Sequence, residues 1–584
     1  MGSVPSTQQR VPARKRSTVL TRIALSCTSG TSLAHDAASD LSNDTCSIFN
    51  EKSPDKERER EHDELPPKEI HQPLAATYAN AQDRITDAAN AAYQEFLSAF
   101  PEYRLTWILD TLRRHDYSRL ETTGETYVDY MGGAIYPASL VRVHAEFLSR
   151  SVLGNTHSVS NSSKLSLKCA DEARSAVLSF FRASSDDYAV IFTANATGAL
   201  KLVGEAFPFT GGSSYVLSCD SHNSIHGIRE YAMPRGARVC YIPPTKTGGF
   251  DPSTAKNILL RNRPRARDTA PSLFALTGQS NITNSKTPLS IIEYASSLGY
   301  HTLLDAAALA ATSTVSLSDC PVDAMAVSFY KMFGFPTGVG ALVVKKAFLT
   351  KLKRPWFAGG TVDVVQVPGT IVTRTSVLHE QFEDGTINYL NLPAVTHGVR
   401  FLSAYLPFLP LRLSCLMRCL VSGLTKLRHE NGAPTVRILS ATPMRRLTSV
   451  GEQSDTGSLI SLLFLSPAGE MLPLAFVEDA AAQASVSLRT GCMCNPGGAA
   501  VLLGLEADMQ RLHEGVTLAD FSRAVGHELG VVRISLGLAS NFQDVWNVLR
   551  FAGLLANERT RGMLWDAWVD ADADAGRALI GQAI

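Results

Sequence analysis

Lys331 and Asp305 are residues of opposite charge that each stand at the end of an apolar run. Asp305 closes the run HTLLD (301–305), where an unpaired carboxylate is costly. It therefore needs a cationic partner, either a structural Arg or Lys or the protonated ring nitrogen of a pyridine cofactor. Lys331 follows the run AMAVSF (324–329), and a lysine removed from water has a lowered pKa and can form a Schiff base. Taken alone, Lys331 is a surface charge.

Two further polar positions precede this pair in the chain. The segment ANATG (194–198) leads into a helical run, so its backbone N–H groups and the Thr197 hydroxyl suit a phosphate, although an ordinary helix cap by Thr197 or Asn195 is the more frequent explanation. His222 follows another apolar run, where an imidazole can stack on a flat ring, although a lone loop histidine is usually only solvated. The chain order of a phosphate-binding turn, an imidazole, a carboxylate and a lysine predicts a pyridoxal phosphate site.

Short β-rich runs alternate with helical stretches around these residues, which predicts βαβ units and a mostly parallel sheet. In such a sheet, ligands bind beyond the carboxyl ends of the strands. Pro288 and Gly299 flank the helical run LSIIEYASSL, so we expect a helix between them. The predicted strands are YAVIFT (188–193), YVLSC (215–219), RVCYI (238–242), SLFALT (272–277), HTLLD (301–305), AMAVSF (324–329) and GALVV (340–344).

Composition excludes several classes of protein. The chain has 584 residues, 45% of them apolar, with 55 Lys and Arg against 55 Asp and Glu, so it is neither wholly disordered nor charged as a nucleic-acid binder is. Its ten cysteines are too few and too irregular for a disulfide scaffold and are interpreted as reduced thiols. The apolar segment Phe401–Leu424 contains two prolines and two arginines, so we expect a buried or amphipathic segment and no membrane partner.

Residues 95 to 555 resemble the class V aminotransferase superfamily, the fold-type I pyridoxal phosphate enzymes that include cysteine desulfurases. Within it they are most similar to the desulfurase-like domain of molybdenum cofactor sulfurases. The resemblance implies an α/β fold, with a mostly parallel sheet in a large domain and a smaller α+β C-terminal domain. It rests on GNTHSVSNSS (154–163), SHNSIHGIREYA (221–232), LLDAAA (303–308), SFYKMFGFPTGVGALVV (328–344), FEDGTINYL (382–390) and RTGCMCNPG (489–497).

The resemblance also assigns roles to single residues. It makes Lys331 the lysine that binds pyridoxal 5'-phosphate and acts as catalytic base, Asp305 the partner of the ring nitrogen, and His222 the stacking imidazole. Thr386 would reach the phosphate bound by the other subunit, which implies a homodimer. The remaining cofactor ligands implied are Ala196, Thr197 and Ser328.

By the same resemblance, Cys494 is the nucleophile of the desulfurases, Arg533 binds the substrate carboxylate, and Arg489 is a second substrate-binding residue. Independently, the loop RTGCMCNPGG is Gly-rich and flexible, and a nearby arginine favours a thiolate. A mobile thiolate is what sulfur extraction requires. The alternative, a metal pair formed by Cys492 and Cys494, finds no suitably spaced Cys or His to complete it, so no metal is expected.

The sequence therefore predicts a pyridoxal phosphate-dependent sulfurtransferase that uses L-cysteine and a Cys494 persulfide. By resemblance, the acceptor is molybdenum cofactor or a protein that binds it. Ala308 and Tyr330 stand where many desulfurases have Gln and His, which weakens a housekeeping iron–sulfur role. The rival readings are another class V enzyme, such as a selenocysteine lyase or an aminotransferase, and a non-catalytic scaffold descended from the enzyme.

Domain limits follow from composition and resemblance. Residues 1–75 are expected to be a disordered tail and charged linker, 76–395 the large domain that binds pyridoxal phosphate, and 396–556 the small domain with the cysteine loop. Residues 557–584 are expected to be a short tail. It is too small to be the second domain of full-length molybdenum cofactor sulfurases, which binds molybdenum cofactor. We expect a cytoplasmic protein. The absence of Asp and Glu from residues 1–35 leaves mitochondrial import as the alternative.

Overall fold

The computed structural model of the chain describes residues 87–265 and 270–581, and its strands form one large and one smaller sheet with two short strand pairs. The strands are β1 (Thr126–Tyr127), β2 (Tyr188–Thr193), β3 (Ser214–Ser218), β4 (Arg238–Ile242), β5 (Leu273–Thr277), β6 (His301–Asp305), β7 (Ala324–Ser328), β8 (Gly340–Lys345), β9 (Val362–Val365), β10 (Val372–Arg374), β11 (Val436–Ile438), β12 (Leu459–Phe464), β13 (Val486–Ser487), β14 (Arg489–Gly491) and β15 (Val531–Ser535).

Helices cover both faces of the large sheet, and residues 92–99 are helical as well. The helices from residue 107 onward are α1 (Trp107–Asp116), α2 (Arg119–Thr123), α3 (Ala138–Arg150), α4 (Asn161–Phe180), α5 (Ala196–Ala206), α6 (Asn223–His226), α7 (Arg229–Ala232), α8 (Pro252–Arg261), α9 (Ser290–Ser297), α10 (Phe329–Phe333), α11 (Lys346–Leu349), α12 (Leu392–Tyr405), α13 (Leu409–Lys426), α14 (Leu474–Gln483), α15 (Pro496–Leu503), α16 (Glu506–Met509), α17 (Leu518–Val525), α18 (Phe542–Ala556) and α19 (Glu558–Gly581).

The large sheet has the strand order β2-β8-β7-β6-β5-β3-β4. Neighbours from β7 to β4 pair in parallel, whereas β8 runs antiparallel to both β7 and β2. The prediction of a mostly parallel sheet is confirmed. Because β2, β3, β5, β6 and β7 point the same way, the residues that follow them meet at one edge of the sheet.

Burial on both faces explains why these strands are continuous apolar runs rather than alternating ones. Every residue of β3, β5 and β7 is buried. Val216 and Phe274 pack into one core on one face of the sheet, whereas Leu217 and Ala275 pack into a second core against α5 on the other face. The strands cannot slip by one residue without exchanging these two sets of side chains.

The smaller sheet is antiparallel, with the order β11-β12-β15-β14. Its edge strand β14 leads directly into the segment that contains Cys494. From Ala92 onward the described residues form one compact unit, and the domain limit at 395/396 stays a prediction. The predicted tail of residues 1–75 lies outside the described residues, and Glu558–Gly581 of the predicted C-terminal tail is helical.

The apolar segment around Phe401–Leu424 folds as α12 and α13, which meet at a bend of 67°. Among the described residues no single helix is long and apolar enough to cross a membrane, whereas this bent pair meets the test by length and composition. Arg412 of α13 is fully buried, donates a hydrogen bond to the Ser540 carbonyl at 2.8 Å and pairs with Asp110. The charged residues inside this segment therefore have protein partners.

Candidate active site

One cavity of about 100 Å³ lies at the carboxyl edge of the large sheet. It is lined by residues that follow β2, β3, β5, β6 and β7, as expected for a ligand site in an open α/β sheet. The predicted site residues Ala196, Thr197, His222, Asp305, Ser328 and Lys331 all line this cavity. The sheet topology therefore brings together residues that are far apart in sequence.

Lys331 lies in the short helix α10, directly after β7, with Phe329, Met332 and Phe333 of the same helix buried around it. Removal of its ammonium group from water lowers the pKa of Lys331 to about 8. This value includes the effect of the Arg533 guanidinium, which also lowers the pKa of Lys331, and of the Asp305 carboxylate, which opposes the shift. The unprotonated amine is therefore far more abundant near neutral pH than it would be for an exposed lysine, as a lysine nucleophile requires.

Asp305 is the last residue of β6 and is 7% exposed. Its Oδ1 accepts a hydrogen bond from the Ala307 backbone N–H at 3.0 Å, which fixes the carboxylate at the sheet edge. The backbone on both sides is held by parallel neighbours, Thr277 on β5 and Ala326 on β7. The carboxylate therefore faces the cavity from a rigid position and suits a cationic ring nitrogen.

The N-terminus of α5 forms another wall of the cavity. Asn195 caps this helix, since its Oδ1 accepts from the Gly198 N–H at 2.9 Å. The Ala196 N–H donates to Ser328 Oγ at 2.8 Å, and the Thr197 hydroxyl meets the Ser224 hydroxyl at 2.8 Å. The cap is thus supplied by Asn195, and Thr197 keeps its hydroxyl at the positive end of an eleven-residue helix, where an anion is stabilised.

The imidazole ring of His222 is held in place by Ser224, two residues further along the chain. Its Nδ1 accepts from the Ser224 backbone N–H at 3.1 Å and lies 2.9 Å from Ser224 Oγ. Burial lowers the pKa of His222, while Asp305 opposes that shift. A neutral imidazole that accepts at Nδ1 carries its proton on Nε2, so the ring presents a flat, uncharged face at the cavity wall.

Arg489 and Arg533 share one carboxylate. They face each other on β14 and β15, and Asp129 pairs with Arg489 Nε at 2.9 Å and with Arg533 Nη2 at 2.6 Å. Arg533 is buried and also donates from Nη1 to the Asn281 carbonyl at 3.1 Å. Its Nε has no hydrogen-bond partner among the described residues, so the guanidinium keeps one unused donor.

The segment of Cys494 adopts an unusual backbone. Met493 and Cys494 have φ values of 55° and 53°, in the left-handed region that side chains other than glycine seldom occupy. Asn281, which lines the cavity, donates from Nδ2 to the Met493 carbonyl at 2.6 Å, and the Asn223 N–H donates to the Cys494 carbonyl at 2.7 Å. These bonds attach the predicted nucleophile's segment to the rim of the cavity, whereas the sequence predicted a flexible loop.

The two cysteines of this segment are both partly buried. The Cys492 thiol donates to the Leu529 carbonyl at 3.7 Å, whereas Cys494 lies one residue before the buried Asn495. In the described ranges, 87–265 and 270–581, no three His, Cys, Asp or Glu side chains are grouped as metal ligands would be.

Thr386 is the predicted cofactor ligand that the chain does not bring to the cavity of Lys331. It lines a neighbouring cavity of about 390 Å³, beside Thr193 and Gly198 near the start of α5. Its hydroxyl accepts from Asn155 Nδ2 at 3.1 Å, in the GNTHS segment. A role of Thr386 at the phosphate bound by another subunit stays a prediction.

Sequence reasoning missed four polar residues at this site: Asp129, Asp220, Asn281 and Asn495. Each connects segments that are remote in the chain, so spacing alone does not pair them. The available signal was local. Asp220 lies two residues before His222, and Asn495 follows Cys494 directly.

The chain is similar to known proteins over most of the described range. Residues 126–407 match the family model described as Aminotransferase class-V. Molybdenum cofactor sulfurases are 32% identical in Arabidopsis thaliana and in Homo sapiens and 34% identical in Aspergillus oryzae, and each alignment covers 76% of this chain. These alignments cover 57%, 51% and 54% of the relatives, so the chain spans about half the length of the curated relatives it matches.

Solved structures share the fold. The apo structure of a cysteine desulfurase from Thermococcus onnurineus NA1 superposes with a TM-score of 0.60 at 21% identity, covering 76% of this chain and 98% of that one. The cysteine desulfurase CsdA from Escherichia coli gives 0.59 at 18% identity, with the same coverage. At these identities the likeness establishes the fold-type I architecture and no more.

Proposed function

We propose that this chain, whose residues 126–407 match the aminotransferase class-V family model, is a pyridoxal 5'-phosphate-dependent cysteine desulfurase that takes sulfur from L-cysteine onto Cys494 and passes it to molybdenum cofactor. One observation carries the proposal. Lys331, Asp305 and His222 line one cavity, and the segment of Cys494 is hydrogen-bonded to Asn223, the residue after His222. The relatives named molybdenum cofactor sulfurase support the choice of acceptor.

The residues present fit this cofactor. Lys331 has a pKa lowered to about 8 and can bind the aldehyde covalently. Asp305 would hold the proton of the ring nitrogen, His222 would stack on the ring, and the start of α5 with Thr197 and Ser328 would hold the phosphate. When bound, pyridoxal phosphate supplies an electron sink for bonds broken next to the substrate's α-carbon.

The protein's own groups then account for binding and proton transfer. Arg533 offers a buried guanidinium with an unused Nε donor, which suits the carboxylate of an amino acid. Nζ of Lys331, in its neutral form, would act as the base that takes the α-proton of the substrate and later returns a proton to the product. Asp129 offsets the charge of Arg533 and Arg489, so the site can accept a single carboxylate without an excess of positive charge.

Sulfur transfer needs a thiolate at the cavity rim. The Sγ of Cys494 forms a bond to the sulfur of L-cysteine, and the carbon–sulfur bond of the substrate breaks. Its electron pair stays on the carbon, which is protonated to become the methyl group of alanine. Cys494 then carries a persulfide, whose outer sulfur is passed to the acceptor.

The dimer is part of the proposal. Thr386 from a second copy of the chain would complete the phosphate end of the site, since within one chain it lies in the neighbouring cavity beside the start of α5. Large apolar side chains near it are exposed, namely Trp356, which lines the same cavity, and Leu390, four residues further along the chain. A second copy packed over them would remove this surface from water.

The test is to incubate the purified chain with pyridoxal phosphate and L-cysteine and to measure alanine, sulfide and the persulfide on Cys494 together. The proposal expects alanine in step with persulfide, and sulfurated molybdenum cofactor when that acceptor is added. Formation of a keto acid without alanine would indicate an aminotransferase. Turnover of selenocysteine but not of L-cysteine would indicate a selenocysteine lyase. A chain that binds no cofactor covalently would be a scaffold.

A further inference from the structure

We propose that Asp220 and Asn495 form a clamp that positions Cys494 against the wall of the cavity carrying His222. The inference rests on the proposed function and names two positioning residues for it. Asp220 lies two residues before His222 and Asn495 one residue after Cys494, so one contact joins the segment of the imidazole to the segment of the nucleophile.

Asp220 is 2% exposed and accepts four hydrogen bonds. Its Oδ1 accepts from Ser280 Oγ at 2.7 Å and from Asn495 Nδ2 at 2.8 Å. Its Oδ2 accepts from the Gly249 N–H at 2.8 Å and from Thr283 Oγ1 at 2.6 Å. A carboxylate surrounded by donors in this way is fixed in position, because no rotation satisfies all four equally well.

Asn495 is fully buried and uses both ends of its amide. Its Oδ1 accepts from the Gly498 N–H at 2.9 Å and caps α15. Its Nδ2 reaches Asp220 and also Asn281 Oδ1, the latter at 3.1 Å. Capping needs only the oxygen, as a serine would also supply it, so the contact with Asp220 is an additional constraint.

The clamp stabilises a strained part of the backbone. Met493 and Cys494 both occupy the left-handed region, which costs free energy and persists only when surrounding contacts impose it. The carbonyls of these two residues accept hydrogen bonds from Asn281 and Asn223. The next residue, Asn495, donates a hydrogen bond to Asp220. Release of the clamp would let this segment relax and move Cys494 from its place.

The close approach of α15 to the same strand end supports the assignment. A Cβ added at Gly497 would lie 2.1 Å from the Cys219 carbonyl oxygen, so only glycine allows the first turn of α15 to press on the backbone beside Asp220. The NPG part of the cysteine motif therefore serves to dock the segment of Cys494 onto the end of β3.

A swap of the two clamp residues tests the inference. Asn495→Asp alone sets two carboxylates against each other, and Asp220→Asn alone places an amide among four donors. The double variant restores one carboxylate and one amide in reversed order. Asn495→Ser keeps the helix cap, but serine is too short to reach Asp220. Thr283→Val is the matched control, because it removes a hydrogen bond from the other oxygen of Asp220 and leaves the contact with Asn495 in place.

Three quantities are measured on each holoenzyme: cofactor content, the single-turnover rate of persulfide formation on Cys494, and KM for L-cysteine. We expect Asn495→Asp and Asn495→Ser to slow persulfide formation about tenfold or more, with cofactor content and KM little changed. The double variant should recover most of the rate lost in Asn495→Asp, and Thr283→Val should stay within about twofold of the wild type.

The rate at which iodoacetamide alkylates Cys494, followed by peptide mass, gives a readout independent of turnover. It should rise severalfold in Asn495→Asp and Asn495→Ser and return in the double variant. Unchanged rates of persulfide formation and alkylation in both Asn495→Asp and Asn495→Ser would overturn the clamp. Loss of cofactor from Asn495→Ser would overturn it as well. A wild-type chain that forms no persulfide would instead refute the proposed function, and the alkylation rates would still decide on the clamp.

Discussion

Lys331 lies at the end of a buried strand, where four charged side chains act on it: Arg533, Asp305, Arg489 and Asp129. Burial and Arg533 lower the pKa of this amine to about 8, while Asp305 limits the shift. A folded-state pKa below the usual value of a lysine means that the reactive amine becomes available as pH rises through about 8, rather than only above 10. Cofactor attachment should follow the same titration.

We therefore expect the rate at which the cofactor-free protein binds pyridoxal phosphate to rise with pH and level off above about 8. The yellow absorbance of the lysine-bound cofactor measures this rate at a series of pH values. Lys331→Ala should lose the absorbance and all turnover. Borohydride reduction and peptide mapping that place the pyridoxyl group on another lysine would contradict the assignment.

The two cysteines of the 489–497 segment should differ in effect. Cys494→Ala should retain the cofactor and the absorbance change caused by L-cysteine but form no persulfide, since the thiolate acts after the substrate has bound. Cys492→Ala removes a thiol that donates to the Leu529 carbonyl and is not the proposed nucleophile, so persulfide formation should fall by less than about tenfold. Mass spectrometry of the persulfide in both variants distinguishes them, and an inactive Cys492 variant with an active Cys494 variant would reverse the assignment.

The start of α15 is the element whose packing places the cysteine segment. Gly497→Ala introduces a Cβ that would lie 2.1 Å from the Cys219 carbonyl, so either the helix or the end of β3 must shift. We expect a loss of about 1–3 kcal/mol in the free energy of unfolding, measured by denaturant titration. Gly553→Ala in α18 has open space around the new Cβ and should be neutral or stabilising, which makes it the matched control.

Elements with strong periodicity were predictable, and boundaries less so. The predicted strands YAVIFT, RVCYI and HTLLD match β2, β4 and β6 residue for residue. Strands β2 and β6 are mostly buried, which makes their runs largely apolar, whereas β4 lies at the edge of the sheet and exposes Arg238 and Tyr241. Helix α9 begins at Ser290 rather than at Pro288, whereas Gly299 ends it with a φ of 89°, as a C-terminal glycine does. The Asp220–Asn495 contact joins residues 275 positions apart, and no local pattern specifies such a partner.

At the scale of the whole molecule, the dimer can be tested by mixing inactive chains. If Thr386 completes the site of another subunit, a dimer of Lys331→Ala with Thr386→Ala contains one site built entirely from wild-type residues. Mixing the two variants under dissociating conditions should restore up to about a quarter of wild-type activity, since half of the dimers are mixed and each has one intact site.

Lys331→Ala mixed with Asp305→Asn is the control for this experiment. Both residues belong to the same chain's cavity, so every site in the mixed dimer is defective and activity should stay absent. Restored activity in that control, or none in the Lys331 and Thr386 mixture, would contradict a site shared between subunits.

The reversed strand β8 also has a consequence for the protein while it is being synthesised. Among the described residues, β8 is the one strand that pairs with β2 in the large sheet, and the pair joins residues 188–193 to 340–345. At ordinary elongation rates the ribosome needs roughly 10 to 30 s to make the intervening chain. During that interval the nascent YAVIFT segment has unpaired backbone groups and an apolar surface, which makes it a segment that a chaperone would need to protect.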